Sequence, residues 1–130
     1  GVHIGQSDMD AAKARKILGP DSIIGVTAKT VEQALKAQAE GADYLGSGAV
    51  FGTTTKSDAK PMDIDTLNAI CDSVDIPVVA IGGINNDNVM KLSGSRIAGI
   101  AVVSGIFDNK DIKGAAQSLR AKALNIISGR

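Results

Sequence analysis

The sequence predicts an α/β fold of five parallel βα units, and three observations predict it. Apolar runs rich in Val and Ile alternate with helical patterns at a steady spacing along all 130 residues. Those runs are nearly continuous instead of alternating apolar with polar, the pattern of parallel strands covered on both faces. Polar or small residues follow each of the five runs: Gln6 and Asp8, Thr27 and Lys29, Thr53 to Lys56, Gly83 and Asn85, Ser104 and Gly105. No linker, low-complexity tract or charge block interrupts the chain, so residues 1–130 read as a single α/β domain.

The first predicted strand is "GVHIG" (1–5), and a helix near 9–18 follows it. His3 lies inside this strand and reads as a packed or hydrogen-bonded side chain, not a catalytic one. "SIIGVT" (22–27) is the second strand. The helix near 30–40 carries clear punctuation: Thr30 can cap it, Glu32 and Gln33 sit in its first turn, and Gly41 stops it. Val31, Ala34, Leu35 and Ala39 form its expected apolar stripe. "DYLGSG" (43–48) is the third strand, followed by a helix near 64–73 on which Cys71 joins Leu67 and Ile70 as core. "PVVAIG" (77–82) leads to a helix near 86–93, and "GIAVVS" (99–104) to a last helix near 111–127.

Five units fit either a doubly wound sheet or part of an eight-stranded βα barrel. A complete barrel takes ~250 residues, so this length supplies five units and not eight. Polar residues at the carboxyl end of every strand favour barrel logic; periodicity is compatible with both.

Composition narrows the function. Fourteen basic and fourteen acidic residues cancel, leaving no electrostatic footprint for nucleic acid or an anionic membrane. Aromatic residues make up 2% with no Trp, which removes stacking platforms. No apolar run approaches the ~20 residues of a membrane span, and no signal-peptide pattern opens the chain. The one cysteine cannot form an internal disulfide, as expected of a protein in a reducing cytoplasm. The expected partners are therefore small molecules.

Three stretches carry candidate chemistry. "VVAIGGIN" and "IAVVSGI" put Gly82-Gly83 and Ser104-Gly105 where strands end. Glycines let backbone N–H groups approach an anion, and a short helical turn after Ser104 would aim its positive end at the same point. Barrels commonly hold a phosphate between the loops after their last two strands; the plain alternative is tight strand–helix packing. "GSGAVFGTTTK" (46–56) crowds hydroxyls and a cation, suited to phosphate oxygens, unless its threonines only cap a helix. In "GQSDMD", Asp8 and Asp10 are either acids favoured at a helix N-terminus, or Asp8 is a Mg²⁺ ligand beside substrate phosphates.

With these residues on the page, the chain resembles the thiamine phosphate synthase family. The family's "GVHIGQxD", "GVSAHT", "DYxGxGPVFPTxTK", "PVVAIGGI" and "GxAVVSAI" blocks occur here in order as "GVHIGQSD", "GVTAKT", "DYLGSGAVFGTTTK", "PVVAIGGI" and "GIAVVSGI". The resemblance spans essentially the whole chain. It implies a TIM (βα)8-barrel fold, of which these blocks correspond to the fourth through eighth strands. It also implies joining of hydroxymethylpyrimidine diphosphate to a thiazole phosphate, with pyrophosphate leaving first and Mg²⁺ and a lysine stabilising the departing charge.

By position, the resemblance makes Asp8 one of two Mg²⁺ ligands. It puts Thr27, in place of a serine, and Lys56 on the pyrimidine diphosphate, with Lys56 the catalytic cation. Thr53, Thr54 and Thr55 would bind the thiazole phosphate, and Gly83, Val103 and Ser104 would complete its pocket. Ala49 and Gly52 stand where the family has prolines, which removes two restraints from that loop. The family's "QxRxK" segment and Asn-Asp pair, carried on its first three strands, have no counterpart here. The chain is therefore expected to be a fragment or an arc completed by self-association or a further N-terminal segment, and inactive alone. Two other readings remain: a thiazole tautomerase, whose "SxH" loop histidine is replaced by Lys29, and a non-catalytic phosphate-binding partial barrel.

Overall fold

The computed structural model describes residues 1–52 and 61–129. Among the described residues, five strands form one parallel sheet in the order of the sequence: β1 (Val2–Ile4), β2 (Ile24–Thr27), β3 (Tyr44–Gly48), β4 (Val78–Ile81) and β5 (Gly99–Ala101). Each strand pairs only with its sequence neighbours, as in His3↔Gly25, Thr27↔Gly46, Leu45↔Val78 and Ile81↔Ala101. A doubly wound sheet reverses its strand order at a switch point, whereas a βα barrel advances one strand at a time. The sequential order therefore decides what periodicity left open, in favour of barrel geometry.

Helices α1 (Ala11–Leu18), α2 (Val31–Ala39), α3 (Ile64–Ser73) and α5 (Ile112–Ser128) pack on one face of the sheet. The core lies between them: Ile24, Leu45, Ala80, Leu67 and Ile70 have no exposed surface, and Val78 and Leu119 are also buried. The opposite face differs from the sequence expectation of strands covered on both sides. It carries exposed His3 and Ile81 and half-buried Thr27, Tyr44 and Val79. In a βα barrel this face is the inner wall.

Local chemistry explains most boundaries. Thr30 Oγ1 accepts the Gln33 N–H at 3.1 Å to cap α2, and Asp63 and Asp111 cap α3 and α5 in the same way. Asp10 precedes α1 without capping it; its carboxylate takes Lys36 Nζ at 3.2 Å instead. α2 buries Ala34 and Ala37, while Leu35 is 45% exposed. The expected stripe was thus displaced, because small alanines bring the helix close to its neighbours. Cys71 is buried on α3 with Leu67 and Ile70, as the sequence suggested.

The expected helix over 86–93 is the largest departure. Only a 3-10 turn forms, at Val89–Leu92. Asn85 Oδ1 accepts the N–H groups of Asp87 and Asn88, and Asn88 Oδ1 accepts that of Asn85. Such side-chain to backbone bonds compete with a helix start. The strand expected over 99–104 stops at Ala101, and a four-residue helix, α4 (Ser104–Phe107), begins where a helical turn was expected.

Candidate functional site

The carboxyl ends of β4 and β5 open into a cleft of about 550 Å³ lined by Phe51, Gly52, Gly83, Asn85, Asn88, Val103 and Ser104, among others. Its shape follows from two glycines. Gly82 and Gly83 adopt φ of 104° and 66°, a region that favours glycine. A Cβ on Gly83 would lie 2.6 Å from the Gly52 carbonyl oxygen. The chain after β3 runs this close because Val50 and Phe51 donate their N–H groups to Ile81 and Gly82 carbonyls, each at 3.0 Å. Asn88 Nδ2 donates to the Gly83 carbonyl at 2.8 Å and fixes the turn from below. Lys122 Nζ, donating to Asn86 O at 2.8 Å, pins the same loop to α5.

Three of the sequence-derived candidates meet here. Gly83 forms one wall; Val103, 71% exposed, and Ser104 at the start of α4 form another. Thr53, Thr54, Thr55 and Lys56 lie outside the described residues. Of the described residues that flank them, Gly52 lines the cleft, and the Met62 N–H donates to Ala49 O at 2.6 Å. Gly52 adopts φ of 76°, which a proline ring forbids.

Thr27 ends β2, on the inner wall. Its hydroxyl is 2.9 Å from His3 Nε2, and its carbonyl accepts Gln6 Nε2 at 2.6 Å. The other nitrogen of His3, Nδ1, is 2.9 Å from the Tyr44 hydroxyl. His3 is thus a hydrogen-bonded side chain, as expected. Asp8 follows β1, and its Oδ2 accepts the Gly5 N–H at 2.7 Å. A carboxylate offers about four acceptor positions, so one N–H bond leaves capacity for a cation. Among the described residues no group of three or more His, Cys, Asp or Glu is arranged to hold a metal ion.

Among the described residues, the shifts in acidity fall on Asp43, Asp63 and Lys36. The Ile24 N–H, then the Arg15 guanidinium, hold the Asp43 carboxyl below its ordinary range, and the bonds from Thr66 do the same for Asp63. Asp10 and Glu40 raise Lys36. Sequence reasoning missed Tyr44 and Asn88. The available signal was glycine inside a strand at Gly25 and Gly46, which marks close approach by another group.

Comparison with known proteins gives this geometry a context. The family model for thiamine monophosphate synthase matches residues 1–106. The thiamine-phosphate synthase of Ruminiclostridium cellulolyticum is 56% identical over 119 residues, covering 92% of this chain and 57% of the relative. Thiamine-phosphate synthase 2 of Streptococcus pneumoniae is 51% identical over 128 residues, 98% of this chain and 61% of that one. Among solved structures, a thiamine phosphate pyrophosphorylase from Pyrococcus furiosus superposes with a TM-score of 0.88 at 41% identity, covering 98% of this chain and 60% of that one. The chain thus spans about three-fifths of the length of the relatives it matches.

Proposed function

Because the chain belongs to the thiamine monophosphate synthase family, we propose that it forms the thiazole phosphate side and part of the diphosphate side of such a synthase. The complete reaction joins hydroxymethylpyrimidine diphosphate to a thiazole phosphate and releases pyrophosphate. The observation that carries this reading is the cleft in which Gly83, Val103 and Ser104 converge at the carboxyl ends of adjacent strands. Backbone N–H groups and a hydroxyl grouped at such a site suit a phosphate monoester.

In this reading Gly83, Ser104 and the threonines 53–55 hold the thiazole phosphate, which aims the ring nitrogen at the pyrimidine methylene. The Thr27 hydroxyl and Lys56 hold the diphosphate, and the Lys56 cation balances charge on the pyrophosphate oxygens as the C–O bond breaks. The carbon left behind is a resonance-stabilised cation that the thiazole nitrogen captures, so no general base is required. Asp8 would be one holder of Mg²⁺, which supplies further neutralisation of the leaving group when bound.

A fusion of the chain to the part of the Ruminiclostridium relative outside the match tests this directly. It is expected to release thiamine monophosphate and pyrophosphate in equal amounts. Lys56→Ala in that fusion is expected to lower kcat by about 100-fold or more while thiazole phosphate affinity changes little. Thiazole phosphate binding without turnover would leave only the phosphate-binding reading. An unchanged kcat in the variant would remove Lys56 from the leaving group.

A further inference from the structure

The inner wall holds a three-residue chain of hydrogen bonds that the proposed reaction does not by itself require. The His3 imidazole on β1 links the Tyr44 hydroxyl on β3 to the Thr27 hydroxyl on β2, with both links at 2.9 Å. Two glycines make room for it. His3, Gly25 and Tyr44 occupy one register row, and a Cβ on Gly25 would collide with the Tyr44 ring. Gly46 pairs with Thr27, and a Cβ there would lie 3.1 Å from His3 Cε1. The imidazole and phenol rings also pack against each other, with centroids 5.5 Å apart. The ring of His3 is therefore held at both nitrogens and flanked by backbone with no side chain.

We propose that Tyr44 and His3 order the protons of this chain so that the Thr27 hydroxyl is held as a donor directed at the diphosphate; His3 is a positioning residue. The argument rests on the assignment of Thr27 to the diphosphate given above. A neutral imidazole has one donor and one acceptor nitrogen. A phenol is a far stronger acid than an aliphatic alcohol, and its oxygen is the poorer acceptor. The favoured order is thus Tyr44 O–H donating to Nδ1 and Nε2–H donating to Thr27 Oγ1. With one lone pair engaged, the proton of Thr27 is free to rotate only toward other acceptors, and each link polarises the next. The Gln6 amide, donating to the Thr27 carbonyl, holds the backbone of the same residue. Oxygens of an anion at the mouth of the wall would meet a donor instead of a hydroxyl whose proton is spent on the imidazole.

His3 is the one histidine in the chain, so its ring can be read without assignment ambiguity. Nitrogen NMR of the 130-residue protein with labelled histidine is expected to show the tautomer with the proton on Nε2. Tyr44→Phe removes the phenol donor and is expected to bring in the Nδ1–H form. A wild-type ring protonated on Nδ1 overturns the proposed order. Titration with magnesium pyrophosphate should then move the His3 Nε2 signal, because a Thr27 hydroxyl donating to the anion is a stronger acceptor. A ring that ignores pyrophosphate while amides near Thr27 shift overturns the directed Thr27 donor, whereas silence of both the ring and those amides overturns the diphosphate assignment and leaves the hydrogen-bond order standing, so the two failures are distinguishable. His3→Leu is expected to weaken pyrophosphate binding about tenfold. His3→Gln, which keeps a donor near the Nε2 position, should recover most of that loss; equal loss in both variants would reduce His3 to packing.

Discussion

At the scale of single residues, the scaffold's strongest polar anchor is Arg15. Its guanidinium donates to the carbonyls of Gly19, Ser22 and Gly41 and to Asp43 Oδ2, the last at 2.7 Å. One side chain thereby ties the end of α1 to the turns before β2 and β3. Asp43 Oδ2 also accepts the Ile24 N–H at 2.7 Å, so its charged form is favoured twice over. Since its folded-state pKa is lowered, the ionised carboxylate adds stability above the ordinary value of about 4. That stability is lost as pH falls below about 4 and through the lower folded value. The melting temperature is expected to hold from neutral pH to about 4 and to decline below it. Asp43→Asn should start lower at neutral pH and decline less steeply in acid. An unaltered acid slope in that variant would assign the effect to other carboxylates.

At the scale of elements, capping and glycine geometry decide where the cleft can form. The loop after β4 has to turn beneath the segment 49–52, and only a residue without Cβ fits at Gly83. Gly83→Ala is expected to cost about 2 kcal/mol or more, combining positive-φ strain with a carbonyl contact. Gly99 on β5 is the control, because a Cβ there meets nothing within 4 Å. Gly99→Ala should stay within about 0.5 kcal/mol of wild type. Equal losses in a urea melt would show that the contact at Gly83 relaxes freely. The same elements show what could be read from residues alone. All five strands and the helices starting at 31, 64 and 112 were legible because Val/Ile runs and helical apolar spacing are local signals, with the Thr30 cap a further one at 31; the Asp63 and Asp111 caps were not read from the sequence. The helix expected over 86–93 was not, since Asn85 and Asn88 each bear a side chain that substitutes for a turn of backbone bonding. The meeting of Gly83 with Ser104 was legible through the glycine and serine at strand ends, while Val103 came only from the family resemblance. The Tyr44–His3–Thr27 chain was not, because it depends on the register of three strands, which no single stretch encodes.

At the scale of the whole molecule, the sequential order of strands distributes stability unevenly along the chain. β3 pairs on both sides, through three register positions with β2 and four with β4. Ile24, Leu45 and Ala80 beneath these strands have no exposed surface. β1 and β5 end the sheet; each is three residues long and has one neighbouring strand in the sheet order. The residues of β5 are all half-buried, and Val2 of β1 is 39% exposed. Amides open at free energies that track local burial and bonding, so protection is expected to peak in β2, β3 and β4 and to fall toward both ends of the sheet. Hydrogen exchange read by mass spectrometry on the 130-residue protein checks this. Peptides spanning Leu45–Gly48 and Val78–Ile81 should exchange about 100-fold or more slowly than those spanning Val2–Ile4 and Gly99–Ala101. Uniform protection across all five strands would mean that the outer strands gain partners in solution. Protection of β1 that appears only with rising protein concentration would identify a second copy as that partner.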